Sequence, residues 1–346
     1  MATHKILVHQ LLEWYYSNRR ELPWRNQKDA YRIWVSEIIL QQTRVAQGWD
    51  YYLNFIRRFP DVNALANARE EEVLQLWQGL GYYSRARNMH AAAKQIVQQH
   101  KGTFPSDHAE IIRLKGIGRY TAAAIASIAF DTPVPAVDGN VLRVVARFLG
   151  IFDNIADNTT YKTIEQHCAE WIVGTPPGDF NQAMMELGAT CCKPKSPDCG
   201  NCPLNSGCFA FANEKTDSIP LKINKVKIKE RYLHFFIFIQ NDKILLEQRT
   251  GNDIWKKLFQ YPLIETAKEC ELPSAEQLQQ LPAKKIGKFT FKQEITHQLT
   301  HQKLHIRFYQ AEKFSEIESQ NHFWAAISQL SDYSLPVPLQ KIWNAV

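Results

Sequence analysis

Five of the seven cysteines in this 346-residue chain lie in one short segment, which constrains the fold more than any other feature. Cys192, Cys199, Cys202 and Cys208 are separated by six, two and five residues, in a stretch rich in proline and glycine. Four thiolates on such a loop can enclose a cubane 4Fe–4S cluster. A tetrahedral zinc site is the alternative, but structural zinc usually takes two close pairs and only Cys199 and Cys202 form one. We expect the adjacent Cys191 to be a core residue.

The same distribution of cysteines bears on the cell compartment. A secreted disulfide framework spreads its cysteines over a small chain, whereas one cluster in a long chain indicates a reducing compartment. The first residues lack the pattern of a secretory signal, and the longest apolar stretch, 122–130, is too short to span a bilayer. An apolar content of 45% excludes a disordered chain. The net charge of +6 permits a polyanionic partner without requiring one.

The chain divides into two parts that differ in the spacing of their apolar residues. Residues 1–213 are predicted to be almost entirely helical, because apolar residues recur at spacings of three and four. This periodicity covers 31–47, 69–77, 84–99, 119–130, 140–149 and 160–173. Residues 214–229 are polar and rich in lysine, which is typical of a linker.

Residues 230–346 are predicted to form a smaller α+β domain. The segment LHFFIFIQ, the pair Asn241-Asp242 and the segment KILLEQR indicate a hairpin with a two-residue turn. Later, KLHIRFYQ alternates apolar and polar residues as a half-buried strand does. A short helix is predicted from about Leu339 to Trp343.

A glycine-containing turn lies between two helical patterns at 107–130. Gly116 and Gly118 flank one apolar residue, Ile117, and Arg119 opens the following helix. Amides at such a turn and helix start can hold a phosphate. A Gly-x-Gly turn alone is often only a helix connection, but here it favours a helix-hairpin-helix grip on the DNA backbone, which positions a protein without reading sequence.

Two carboxylates have ordinary explanations when only their spacing is considered. Asp138 precedes Gly139-Asn140 and a helical pattern, as a helix N-cap does. Glu37 lies in a polar stripe of its predicted helix and would be a solvated residue. Periodicity and composition make neither of them catalytic.

The order and spacing of the hairpin, the segment 137–140 and the four cysteines resemble the endonuclease III superfamily of helix-hairpin-helix DNA glycosylases. Within it, SEIILQQTRV, LWQGLGYYSRARN, FNQAMMELGA and the additional C-terminal domain are similar to the A/G-specific adenine DNA glycosylases. The resemblance implies a multidomain fold. An all-α domain (1–213) would carry the iron–sulfur loop (192–208), and a linker (214–229) would lead to a Nudix-like α+β domain (230–346).

The resemblance also implies a hydrolase that removes adenine paired with 8-oxoguanine or guanine and so starts base excision repair. Glu37 would protonate the purine and Asp138 would stabilise the sugar cation, the first with a pKa raised by burial and the second with a pKa kept low by helix-start amides. Tyr120 and Asn140 would assist. Bifunctional relatives have a Schiff-base lysine where this chain has Tyr120, so little or no strand cleavage is expected.

An adenine must leave the duplex before such a pocket can hold it. By resemblance, Trp24, Arg25 and Glu186 line the base pocket, and Gln42 and Tyr82 insert into double-stranded DNA beside the opposing base. Thr300 and His301 correspond to the 8-oxoguanine recognition loop, which here reads Leu299-Thr300-His301 instead of the common Phe-Ser-His. A Nudix hydrolase run of Arg and Glu is not found in the sequence.

Two other functions stay open on the sequence. One is an endonuclease III-like glycosylase for oxidised pyrimidines, and the other is a non-catalytic iron–sulfur protein that binds DNA. In each case we expect a monomer in the cytoplasm, associated with a bacterial-type nucleoid, and no membrane partner.

Overall fold

The computed structural model describes residues 2–223, 227–317, 319–340 and 342. Part of the predicted linker, 224–226, and the predicted end of the last helix at Trp343 lie outside these residues. Within the described part of the chain, no helix is both long enough and apolar enough to cross a membrane.

The chain folds as two compact units. The first comprises residues 1–68 and 88–224, and the second comprises 69–87 and 225–346. The predicted bounds place 69–87 with the helical domain, whereas in the structure this segment belongs to the C-terminal unit. The predicted multidomain fold, with a helical part followed by an α+β part, is confirmed.

The chain up to residue 212 is helical, as predicted from the apolar periodicity. Its helices are α1 (Ala2–Asn18), α2 (Ala30–Leu40), α3 (Val45–Arg58), α4 (Val62–Asn67), α5 (Glu70–Leu76), α6 (Ser84–His100), α7 (His108–Ile111), α8 (Arg119–Phe130), α9 (Gly139–Leu149), α10 (Asn158–Trp171), α11 (Pro177–Thr190) and α12 (Phe209–Ala212).

One helix predicted over 31–47 is instead two helices. The first, α2, ends at Leu40, and α3 begins at Val45. Between them Gln42 has a left-handed φ of 56°. The apolar periodicity continues through this turn, and neither glycine nor proline marks it, so the prediction of a single helix is wrong. The break leaves the Gln42 side chain exposed.

The core of the first unit forms where α1, α9, α10 and α11 pack together. Val145 and Ala146 of α9 and Leu187 of α11 are fully buried there. This packing places the start of α9 beside α11, and the two elements carry Asp138 and Glu186 respectively. These two carboxylates therefore depend on the same core as the cysteine loop, which follows α11 directly.

The second unit contains two four-stranded sheets. One has the strand order β5-β1-β7-β6, with β1 and β7 parallel, and the other joins β2, β3 and β4, with β8 paired to β3. Its elements are β1 (Lys229–Ile237), β2 (Ile239–Gln240), β3 (Lys243–Gln248), β4 (Phe259–Gln260), β5 (Leu263–Thr266), α13 (Ala275–Leu278), β6 (Ile286–Gln298), β7 (Gln302–Phe314), β8 (His322–Ala326) and α14 (Val337–Gln340).

Two predictions for this unit are confirmed by strand pairing. The pair Gln240↔Lys243 closes a hairpin around Asn241 and Asp242, which both have left-handed φ angles, as the favoured two-residue turn requires. The alternating segment lies in β7, where Leu304, Ile306 and Phe308 are fully buried and form much of the core between the sheets.

Candidate active site

A cleft of about 250 Å³ in the first unit brings together residues that are far apart in the sequence. It is bordered by α2, α8, α11, the start of α9 and the turn before α2. All four predicted catalytic residues and all three predicted base-pocket residues line it: Glu37, Tyr120, Asp138, Asn140, Trp24, Arg25 and Glu186.

Glu37 is a half-buried acid within this cleft. Burial raises the pKa of Glu37 to about 7, with a smaller upward contribution from the negative charge of Asp138 and against an opposing hydrogen bond with Tyr120. The carboxyl is therefore substantially protonated near neutral pH. The sequence prediction of a raised pKa is confirmed, whereas its interpretation from spacing alone, as a solvated residue, is wrong.

Asp138 is the N-cap of α9, as its position in the sequence predicts. Its Oδ1 accepts hydrogen bonds from the amides of Asn140 (2.9 Å) and Val141 (2.8 Å). These amides lower the pKa of Asp138, but burial has the larger effect and leaves the pKa raised. The prediction of a low pKa is therefore wrong in sign, because the sequence shows the capping amides and does not show the depth of the site.

Asn140 holds the other oxygen of this carboxylate. Its Nδ2 donates to Asp138 Oδ2 at 2.8 Å, and its own Oδ1 accepts from Arg143 Nη2 at 2.9 Å. Arg143 also donates to the carbonyls of Gly188 and Cys192, each at 2.8 Å. The orientation of Asp138 is thus fixed from α9, α11 and the first residue of the cysteine loop.

Glu186 is fixed in its ionised form by two arginines. Arg20 donates to both of its carboxylate oxygens, at 2.6 and 2.8 Å, and Arg25 Nη2 donates to Oε2 at 2.5 Å. Burial alone would raise the pKa of Glu186, but these bonds outweigh it and lower the pKa to about 2. The sequence analysis missed Arg20, whose partner lies 166 residues away and leaves no local pattern.

Tyr120 projects from the first turn of α8 into the cleft. Its hydroxyl donates to the Sδ atom of Met185 at 3.0 Å, and burial raises its pKa well above the usual value, so it stays neutral. Among the described residues that line the cleft there is no lysine.

Trp24 belongs both to the core and to the wall of the cleft. It is 9% exposed and packs edge-on against Trp49 and Tyr52, with ring centroids 6.1 and 5.3 Å apart. It also lines the cleft. A core aromatic therefore supplies part of the wall.

The four predicted cluster ligands, Cys192, Cys199, Cys202 and Cys208, line one cavity in the first unit. Burial raises the pKa of the Cys199 thiol, and the charges of the other three raise it further, as expected for sulfur atoms grouped together. Cys191 also borders this cavity, but it is buried in the core and its thiol donates to the carbonyl of Asp198 at 3.1 Å, which confirms it as a core residue.

The surroundings of these thiols suit an anionic cluster. Backbone amides donate to the sulfur atoms of Cys202 and Cys208, which lowers their otherwise raised pKa values. The buried guanidinium of Arg147 lies 3.4 Å from the Cys192 Sγ atom and donates to the carbonyls of Lys193 and Pro194. When bound, an iron–sulfur cluster supplies Fe–S bonds that tie the two ends of this loop together.

The glycine turn forms as predicted between α7 and α8. Asp107 caps α7 by accepting from the amide of Ala109 at 2.9 Å, and Ile117 is buried. Gly116 and Gly118 are exposed, with the first amides of α8 next to them. The guanidinium of Arg119 lies 4.4 Å from the centre of the Tyr161 ring. The turn is thus shaped to hold a phosphate at a helix start.

We expect Gly116→Ala to destabilise the fold and Gly118→Ala to leave it intact. Gly116 has a φ of 78°, and an added Cβ would lie 2.5 Å from the Cβ of Asn88, whereas nothing lies within 4 Å at Gly118. The left-handed conformation alone costs an alanine about 1–2 kcal/mol, or a few degrees in Tm. Thermal melting of the DNA-free protein measures both variants. An equal Tm for the two would contradict this account of the turn.

The remaining predicted DNA contacts lie on the surface. In the second unit, Tyr82 is 46% exposed with a left-handed φ of 48°, and its hydroxyl hydrogen-bonds to Thr300 Oγ1. His301 is exposed, and its carbonyl accepts from the amide of Lys229 at 3.0 Å. In the first unit, Gln42 has the strained exposed conformation described above. Such strain is often found at functional sites.

Family models match three consecutive parts of the chain. The HhH-GPD superfamily of base excision DNA repair proteins matches residues 35–173, the iron–sulfur binding domain of endonuclease III matches 192–208, and the NUDIX domain matches 234–345. An adenine DNA glycosylase of Buchnera aphidicola is 36% identical over 98% of this chain and 97% of its own length. The chain belongs to the adenine DNA glycosylase family.

Other relatives match a smaller part of the chain. The human adenine DNA glycosylase is 44% identical over 58% of this chain and 38% of its own length. A solved thermostable thymine-DNA glycosylase matches 61% of this family member at 26% identity, with a TM-score of 0.56 over 97% of that structure. The iron–sulfur family match begins at Cys192 and ends at Cys208, the first and last of the four predicted ligands, which supports the 4Fe–4S assignment over zinc.

Proposed function

We propose that this member of the adenine DNA glycosylase family is a monofunctional enzyme that flips out adenine paired with 8-oxoguanine or guanine and hydrolyses its glycosidic bond. One observation carries the proposal. A carboxyl group with a pKa of about 7, Glu37, shares a base-sized cleft with a second carboxyl group whose oxygens are both held by hydrogen bonds.

The chemistry needs one acid and one charge stabiliser. Protonated Glu37 donates its proton to the five-membered-ring nitrogen of adenine, and the bond between this base and C1′ of the sugar breaks. Ionised Asp138 stabilises the positive charge that develops on the sugar, and that charge in turn favours ionisation of Asp138. Water then adds to C1′, and its proton returns to the Glu37 carboxylate.

Tyr120 and the base-pocket residues have supporting roles in this proposal. Neutral Tyr120 can hydrogen-bond to Glu37 without offering an amine to the sugar, so an imine intermediate and strand cleavage are not part of the reaction. The Arg20–Glu186–Arg25 cluster fixes two guanidinium groups in the wall of the cleft, and in this proposal Arg25 contacts the edge of the extruded purine. Trp24 supplies an aromatic surface in the same wall.

The proposed opposing-base contacts come from the C-terminal unit and from Gln42. Tyr82 and Thr300 touch each other in that unit, so one surface carries both a side chain to insert into the duplex and a hydroxyl to contact the damaged base. Insertion requires a few kcal/mol of unstacking, a cost that is lower at a mismatched or damaged pair. His301 and the glycine turn would hold flanking phosphates.

A base-release assay on duplexes with different pairs tests the function. We expect an abasic site from adenine opposite 8-oxoguanine, more slowly from adenine opposite guanine, and strand scission only after alkali. Scission without alkali at oxidised pyrimidines would favour the endonuclease III-like alternative. Binding of every duplex with no base released would favour a non-catalytic DNA-binding protein.

The rate of base release should fall as pH rises through the pKa of Glu37, because only the protonated acid can donate. With a pKa of about 7, the single-turnover rate is expected to be nearly constant at pH 6 and to drop towards ten-fold per unit above pH 8. Rates on saturating enzyme between pH 5.5 and 9, with DNA binding checked at each pH, measure this. A rate that rises with pH would assign the Glu37 carboxyl a different role.

We further propose that the protein acts as a monomer in the cytoplasm at the nucleoid. The four-thiol cluster site suits a reducing compartment, where free thiols persist. Size-exclusion chromatography with light scattering and fluorescence microscopy of a tagged chain test these two points.

A further inference from the structure

The loop that carries Thr300 and His301 is held at its base by an ion network around the buried Arg231 side chain in the C-terminal unit. We propose that Arg231, acting through Gln302, is a positioning residue for this loop and thereby sets how strongly the protein distinguishes 8-oxoguanine from guanine. The inference rests on the function proposed above. The discrimination between 8-oxoguanine and guanine then depends on Arg231 and Gln302 as well as on the loop residues themselves.

Arg231 is 7% exposed and uses all five of its N–H donors. Nε and Nη2 donate to the two oxygens of Glu265 at 2.7 and 2.5 Å, and Nη1 and Nη2 donate to the two oxygens of Asp253 at 2.9 and 2.7 Å. The fifth donor, on Nη1, reaches Gln302 Oε1 at 3.1 Å. Because every donor is engaged, the position and orientation of the guanidinium are fixed.

The charges in this network balance. Arg249 Nη2 donates to Asp253 Oδ2 at 2.9 Å, so two guanidinium groups face the two carboxylates of Asp253 and Glu265. Arg249 is also held through Gln260, whose Oε1 accepts from its Nη1 at 2.6 Å. Removal of either carboxylate would leave the buried Arg231 guanidinium short of negative charge, so the network is costly to disturb.

Gln302 connects this network to the loop. It is the first residue of β7 and directly follows His301. Its backbone carbonyl accepts from the amide of Leu299 at 2.8 Å and from Gln298 Nε2 at 3.2 Å, which closes the loop. The amide of Lys229 on β1 holds the carbonyl of His301. Strand β1 therefore fixes the loop twice, once by backbone and once by the Arg231 side chain.

Asp253 connects Arg231 to a second segment, the turn between β3 and β4. In this turn, Ile254 and Trp255 pack with Leu299 against the core between the sheets. Trp255 has a left-handed φ of 60°, a conformation that a bulky residue keeps only when its surroundings impose it. Arg231 thus holds the end of the recognition loop through Gln302 and the turn that carries Trp255 through Asp253.

A side chain that must meet one face of a base tolerates displacements of less than an ångström. Thr300 follows Leu299, and its hydroxyl already contacts Tyr82. Loss of the Gln302–Arg231 bond frees the base of the loop while the rest of the network stays intact. We therefore expect a loss of selectivity between opposing bases without a loss of the hydrolytic step.

Gln302→Leu tests the proposal, with Gln302→Glu as the conservative variant that restores an acceptor for Arg231. Gln310→Leu is the matched control, since it lies on the same strand and is similarly half-buried. For Gln302→Leu we expect the affinity for duplexes that contain 8-oxoguanine to fall about three- to ten-fold relative to guanine duplexes, the effect of one hydrogen bond. The single-turnover rate on saturated adenine–guanine duplex should change less than two-fold.

Gln302→Glu and Gln310→Leu should both keep the parent selectivity. The Tm of each variant is measured as well, since a merely structural role would lower the Tm and affect both duplexes equally. Unchanged selectivity in Gln302→Leu overturns the positioning role. If the parent protein itself shows no preference for 8-oxoguanine, the opposing-base part of the proposed function fails instead.

Discussion

Glu37→Gln should reduce adenine release by about 10²–10⁴-fold, because the variant keeps the size of the side chain and loses its proton donor. The same change should make the protein more stable at pH 8. Burial raises the pKa of Glu37 from 4.5 to about 7, so ionisation of this group opposes folding. The resulting penalty is absent below pH 4.5, grows as the pH rises to about 7, and is then constant.

Three measurements check this result together. Single-turnover kinetics measures the rate of base release, a binding assay with uncleaved duplex measures affinity, and thermal melting at pH 5 and pH 8 measures stability. We expect retained affinity and a Tm at pH 8 that is about 2 °C or more above that of the parent. Glu170→Gln, an exposed carboxylate on α10, is the matched control and should change none of these. Lost affinity with a lowered Tm would instead make Glu37 a structural residue.

Features that depend on neighbours along the chain are predictable from this sequence. The hairpin at Asn241-Asp242, the buried face of β7 and the Asp138 cap follow from local rules for turns, alternation and helix ends. The cluster site is likewise predictable from the cysteine spacing, because all four ligands lie on one short loop.

Features that depend on burial or on distant partners are not predictable in this way. Spacing places Glu37 on a solvated face, and only the packing of α8 and α9 around it creates a half-buried acid. The sign of the Asp138 pKa shift is wrong for the same reason. Two further features could not be predicted for the same reason. Arg20 has its partner 166 residues away. Gln42 lies in a turn that interrupts a continuous apolar pattern.

Cys192→Ser should remove the brownish absorbance near 400 nm that iron–sulfur proteins show, and Cys191→Ser should keep it. The two cysteines are neighbours in the chain, so the comparison isolates the role of the thiol. Both cysteines border the same cavity, but the thiol of Cys192 lies beside Arg147 and the thiol of Cys191 donates to the Asp198 carbonyl, a bond that a serine hydroxyl can also make.

Loss of the cluster should also loosen the loop, since most residues between Lys193 and Asn201 are exposed and few apolar contacts hold them. Limited proteolysis should therefore cut Cys192→Ser within 193–208 about ten-fold faster than Cys191→Ser, as expected when a local opening reaction becomes easier by about 1.4 kcal/mol. Iron analysis of both variants completes the comparison. Stoichiometric zinc and no iron in active parent protein would contradict the cluster assignment, and equal absorbance in the two variants would exclude Cys192 as a ligand.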